Sequence, residues 1–131
     1  MATREVDLAH KSSAESAPAY LPHDYISDPQ SRIQAYRRLA EVSTPEQLET
    51  LRKTWRDRFG PLPTAGANLL LMTELKLLAA ARKVTMVEVR EGKVMLTRGG
   101  DYILLGGKFP RLHATAPNQQ LQELAELIRS F

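Results

Sequence analysis

The 131-residue chain contains no cysteine, which excludes disulfides and thiolate metal sites and suits a reducing cytoplasm. It also lacks an apolar run long enough to cross a membrane, because Leu69 to Ala81 is interrupted by Thr73, Glu74 and Lys76. The stretch from Met1 to Asp7 has none of the apolar core of a signal peptide. No block of about five or six like charges occurs, and 18 Lys and Arg against 15 Asp and Glu leave a net charge of only +3. Such an excess is compatible with an acidic protein or nucleic acid as partner and demands neither. What the chain does have, 43% hydrophobic and 25% charged residues, fits one globular domain with a core.

Residues 1–17 are polar and read as a flexible tail or linker, with room for a short strand at Glu5 to Leu8. Residues 18–131 read as the single globular domain. Tyr20, Leu21, Tyr25 and Ile26 are costly to leave in water while Pro22 prevents a helix through them, so this segment is expected to lie extended across the core. Asp28-Pro29 then supplies a cap and a first-turn proline, and Ile33, Tyr36, Leu39 and Ala40 recur at helical spacing, predicting a helix from Pro29 to Val42. Thr44-Pro45-Glu46-Gln47 is a capping box and starts a second helix, Pro45 to Phe59, with Leu48, Leu51, Trp55 and Phe59 as its apolar stripe. On its outer side Glu49, Lys53 and Asp57 are spaced for i, i+4 pairing.

The joint Trp55-Arg-Asp-Arg-Phe-Gly-Pro-Leu-Pro63 organises the rest. Gly60 can end the second helix in a left-handed conformation, and Pro61 cannot continue it. Pro63 opens a third, long and largely buried helix to Lys83, with Arg82 and Lys83 in its last turn. The apolar period then changes to two: Val87 and Val89, a turn at Glu91-Gly92-Lys93, Val94 to Thr97, a third strand at Tyr102 to Leu105 and a short fourth at Leu112 to Thr115. Pro117 starts a closing helix with Leu121, Leu124, Ala125, Ile128 and Phe131 on one face. The fold class expected is therefore α+β: N-terminal helices, a long buried helix, a small mainly antiparallel sheet and a C-terminal helix.

Catalytic and cofactor signals are absent from the sequence. His10, His23 and His113 are far apart and have no second ligand at metal spacing. Asp24 and Asp28 could pair as acid and base, but Asp28 is better explained as a helix cap. Gly99-Gly100 and Gly106-Gly107 lack the Gly-Lys-Ser/Thr setting of a phosphate loop, and Ser12, Ser13 and Ser130 lack a base. No enzyme activity, metal or cofactor is expected of this chain. One basic face stands out, Arg32, Arg37 and Arg38 on the first helix with Arg52, Lys53, Arg56 and Arg58 on the second. Two readings of it stand side by side: a solvated surface laced with Glu41, Glu46, Glu49 and Asp57, or a docking face for an acidic protein or DNA phosphates. Tyr36 and Trp55, which could stack on bases, occupy apolar helical positions that predict burial.

Taken together, Pro18-Ala-Tyr-Leu-Pro-His-Asp-Tyr-Ile-Ser-Asp28, Arg32-Ile-Gln-Ala-Tyr-Arg-Arg-Leu-Ala40 and Asp57-Arg-Phe-Gly-Pro-Leu-Pro63 resemble the C-terminal domain of the bacterial transcription-repair coupling factor. The residues that carry the resemblance are Leu21, Pro22, Asp24, Tyr25, Ile26, Tyr36, Phe59, Gly60, Leu62 and Pro63. The resemblance is good from Ala17 to Lys83 and continues as a pattern of strands and a helix to Phe131. It implies a noncatalytic module of an ATP-driven DNA translocase of nucleotide excision repair. Such a module folds against a domain resembling excinuclease component B and masks the surface that recruits excinuclease component A, and through the translocase it is linked to RNA polymerase. The 131 residues hold no Walker A sequence and no helicase motif, so the motor is expected on other sequence. The resemblance implies docking to other domains of the same translocase, in the cytoplasm; the mixed charge and the apolar positions of Tyr36 and Trp55 speak against DNA binding by the module, and the interrupted apolar run against a membrane. The alternative is a stand-alone nucleic-acid-binding or regulatory module using the basic helices.

Overall fold

The computed structural model describes residues 7–10 and 17–131. The remaining residues of the expected tail, and Glu5 and Val6 of the expected first strand, lie outside the described residues. The architecture is α+β: β1 (Asp7–His10), α1 (Pro29–Ala40), α2 (Pro45–Phe59), α3 (Thr64–Ala81), β2 (Val84–Arg90), β3 (Lys93–Arg98), β4 (Asp101–Tyr102) and α4 (Pro117–Arg129). Two compact units divide within α3, one made of residues 17–77 and the other of residues 7–10 and 78–131 among those described.

In the unit of residues 17–77, local signals set the helix limits. The Asp28 carboxylate accepts the Ser31 N–H at 2.9 Å and starts α1. The helix ends at Ala40, two residues before the expected Val42, because Pro45 forces Thr44 into an extended conformation (φ −130°, ψ 154°) and the chain has to unwind before it. The Thr44 hydroxyl accepts the Gln47 N–H at 3.1 Å, but the Gln47 side chain closes on the N–H of Ser43 at 2.8 Å, one residue earlier than a standard capping box. Gly60, at φ 95° and ψ −171°, ends α2 at a positive φ that glycine adopts readily, with ψ outside the left-handed helical conformation expected. Leu21, Ile26, Ala35, Leu39, Leu48, Leu51, Trp55 and Leu70 make the core, with Phe59 and Leu62 packed against it. Burying each of the larger side chains contributes roughly 1.5–3 kcal/mol.

Two expectations change here. The segment around Pro22 is not extended: the N–H groups of Tyr25 and Ile26 both bond to the Pro22 carbonyl oxygen, at 3.1 and 3.2 Å, so a tight turn carries Leu21 and Ile26 into the core together. The buried face of α1 is Ala35 and Leu39. Ile33, Tyr36 and Ala40, expected to face inward, are exposed.

In the other unit the sheet order is β1-β2-β3-β4, with β1 parallel to β2 and the other pairs antiparallel. Val87 lies opposite Leu96 and Val89 opposite Val94, placing four buried side chains on one face. Helix α4 adds the buried stripe Leu121, Leu124, Ala125 and Ile128. Helix α3 stops at Ala81 because Lys83 turns left-handed at φ 62°, so Arg82 and Lys83 lie beyond the last turn rather than in it. The expected third strand shortens to Asp101–Tyr102, with Ile103 still donating to the Leu96 carbonyl oxygen at 2.8 Å. No strand forms at Leu112 to Thr115. The Glu123 carboxylate takes the backbone N–H groups of His113 and Ala114 there, each at 2.9 Å, in place of a strand partner.

Candidate docking surface

The residues of the family motifs hold the turn and the joint together. The Tyr25 hydroxyl donates to the carbonyl oxygens of Gly60 and Trp55, at 2.9 and 3.2 Å, and its ring meets Phe59 edge-on with centroids 5.8 Å apart. Arg32 donates to the Leu21 carbonyl oxygen at 2.6 Å and to that of Ile26 at 3.3 Å, clasping both ends of the turn. The Tyr36 hydroxyl accepts the Leu21 N–H at 2.9 Å. Asn68, buried, reaches back to the Pro18 carbonyl oxygen at 2.9 Å. Sequence reasoning placed Arg32 on a docking face; its guanidinium instead satisfies the carbonyls of a chain segment 6 and 11 residues away. The local pattern carries no sign of such a clasp.

The remaining basic residues are divided between the two helices. A groove of about 400 Å³ runs between α1 and α2, lined by Arg38, Glu41, Val42, Glu46, Gln47, Thr50, Leu51 and Thr54. A smaller cavity of about 130 Å³ beside it shares Arg38 and Thr54 and adds Arg58, Trp55 and Phe59. Of Arg32, Arg37, Arg38, Arg52, Lys53 and Arg56, Arg38 alone lines these hollows. At about 100° per residue Arg37 is turned away from Arg38, whereas Arg52, Lys53 and Arg56 fall within about 100° of one another around α2. Arg52 is paired with Glu49 at 3.3 Å, and Arg58 lies over the Phe59 ring, 5.0 Å from its centre. The expected Glu49, Lys53 and Asp57 ladder is absent among the described residues; Glu49 turns to Arg52 one turn away. Arg37, Arg38, Lys53 and Arg56 make no salt bridge among the described residues.

Burial raises the ionisation of Tyr25 above the usual tyrosine value, and the Arg56 guanidinium opposes the rise. Among the described residues no three His, Cys, Asp or Glu side chains come together as a metal site would need, and no helix is long and apolar enough to span a membrane. The arrangement is a helical scaffold carrying cations without salt bridges among the described residues and a groove of mixed sign.

A family model for the TRCF domain matches residues 16–101. The chain belongs to the TRCF domain family. The matched residues of this TRCF domain take in every motif on which the resemblance rests. It is 41% identical over 71 residues to the transcription-repair-coupling factor of Haemophilus influenzae, a match that covers 54% of this chain and 6% of that protein. With the protein of the same name from Myxococcus xanthus it shares 33% identity over 91 residues, 70% of this chain and 8% of that one. The chain thus spans less than a tenth of the length of these relatives. Its fold is similar to the crystal structure of the C-terminal domain of a transcription-repair coupling factor, with a TM-score of 0.63 at 18% identity over 97% of this chain and 96% of the other.

Proposed function

We propose that this TRCF domain is a noncatalytic regulatory and protein-interaction module of a transcription-coupled DNA repair translocase. It works in the cytoplasm by docking on the domain that resembles excinuclease component B, and in doing so masks the surface that recruits excinuclease component A. Its link to RNA polymerase is indirect, through the translocase. The observation that carries this reading is the mixed sign of the helical surface: Arg38 shares the larger groove with Glu41 and Glu46, while Arg37, Lys53 and Arg56 make no salt bridge among the described residues. Alternating signs suit a complementary protein, whereas a polyanion favours a continuous basic stripe. The buried Trp55 is in no position to stack on bases.

A pull-down of the isolated domain resembling excinuclease component B, run beside a DNA shift assay over a range of salt, tests the reading. Retention of the domain with weak DNA binding is the expected result. Tight, steeply salt-dependent DNA binding without retention would establish the nucleic-acid-binding alternative instead.

A further inference from the structure

Helix α1 has a second apolar stripe that its own unit leaves uncovered. Ile33, Tyr36 and Ala40 are spaced i, i+3, i+7 and fall within about 60° of one another around the helix, on the side away from buried Ala35. Ile33 is 52% exposed and Tyr36 36%. Tyr20, 50% exposed, adjoins them, because the Tyr36 hydroxyl holds the backbone N–H of the next residue, Leu21, at 2.9 Å. Single exposed apolar residues are ordinary on a protein surface; a spaced row of three with a second aromatic beside it is the pattern of a helix face that seats in a groove. The bond to Leu21 also fixes the Tyr36 ring, and Tyr20 is anchored through its N–H to the Ala65 carbonyl oxygen at 3.2 Å, so the surface is ordered before any partner arrives.

We propose that Tyr20, Ile33, Tyr36 and Ala40 form the apolar centre of the surface by which this module docks, and that the occupant is another domain of the same long chain, presenting an apolar depression bordered by a carboxylate opposite Arg37. This rests on the docking reading above and names the contact that gives it strength. Two observations select the occupant. The chain spans 6% and 8% of the relatives it matches, so nearly all of such a protein lies outside this module, and a tethered domain meets the stripe at high effective concentration. Arg37 projects on the same side of α1 as the stripe and makes no salt bridge among the described residues, which calls for a negative group at the rim. The unpaired charges then orient the partner, while the apolar row supplies the area that excludes water.

The test is a titration of the isolated domain resembling excinuclease component B with the 131-residue chain and its variants Ile33→Asp and Tyr20→Ser, each checked for an unchanged melting temperature. Both positions are half exposed, so the variants are expected to fold. Ile33→Asp should weaken binding roughly tenfold or more, and Tyr20→Ser should weaken it less. Binding by the parent chain that Ile33→Asp leaves intact would overturn the stripe and leave the docking reading standing. Absence of binding by the parent chain would overturn both, and self-association of the chain that Ile33→Asp abolishes would make a second copy the occupant and overturn the proposal.

Discussion

The Tyr25 hydroxyl donates to the Gly60 carbonyl oxygen at 2.9 Å, joining the turn before α1 to the end of α2 across 35 residues of sequence. Tyr25→Phe keeps the ring against Phe59 and removes this bond and the longer one to Trp55. The expected loss is about 0.5–1.5 kcal/mol, the net worth of a typical hydrogen bond. Burial holds the folded-state ionisation of Tyr25 above the usual tyrosine value. Its contribution is therefore complete below a pH of about 10 and lost as pH rises through the higher folded value. Denaturation followed by fluorescence of Trp55 should show a steeper alkaline loss for the parent chain than for Tyr25→Phe; parallel curves would contradict the assignment.

Trp55 is 2% exposed within the cluster that includes Leu48, Leu51 and Leu70. Trp55→Ala is expected to cost about 3–5 kcal/mol, the range for deleting a large core aromatic. Melting followed by circular dichroism checks this. An unchanged curve would place the indole at the surface and restore base stacking as a role for it.

How much of this was legible in the sequence depends on how local each signal is. Helix α2 has its predicted limits because Thr44-Pro45 and Gly60-Pro61 act on their own backbone neighbourhood. The hairpin turn at Glu91-Gly92 was legible for the same reason. The inward face of α1 was not: Ile33, Tyr36 and Ala40 fit helical spacing as well as Ala35 and Leu39 do, and the choice is made by Arg32 and Tyr36, which bond to a turn 6 to 15 residues away. Charge spacing likewise marked Arg32, Arg37, Arg38, Arg52, Lys53 and Arg56 as one basic face, though rotation around α1 separates Arg32, Arg37 and Arg38. The short β4 reflects the same limit, since Ile103 to Leu105 have strand-forming side chains but little partner strand to bond.

Glu91 and Gly92 connect the paired residues Arg90 and Lys93 with φ values of 50° and 80°, the two-residue turn that favours Asn-Gly. Glu91→Asn should stabilise the hairpin by roughly 0.5 kcal/mol or more, since asparagine tolerates the left-handed region better. The Arg111 contact at 3.5 Å uses the Glu91 carbonyl oxygen and survives the change. A lower denaturation midpoint for the variant would contradict the turn assignment.

The Glu123 carboxylate is held below its usual ionisation range by the backbone N–H groups of Ala114 and His113. With the folded value depressed, its contribution is present above the ordinary glutamate value and is lost as pH falls through the folded one. Glu123→Gln should be less stable at neutral pH and show a smaller loss on acidification. Equal acid sensitivity of the two proteins, compared by urea denaturation, would show that the contact contributes nothing.

Charge reversal at Arg37, Arg38 and Arg56 and removal of the whole module should act on a full-length relative in the same direction. The reversal should have the smaller effect, because rim charges steer association more than they hold an interface closed. Deletion removes the competing intramolecular contact and leaves the recruiting surface exposed as the main population. The most direct measurement is the affinity of excinuclease component A for the intact translocase and for the protein lacking this module. Masking predicts tighter binding after deletion, with the triple reversal in between; equal affinity for all three would contradict it.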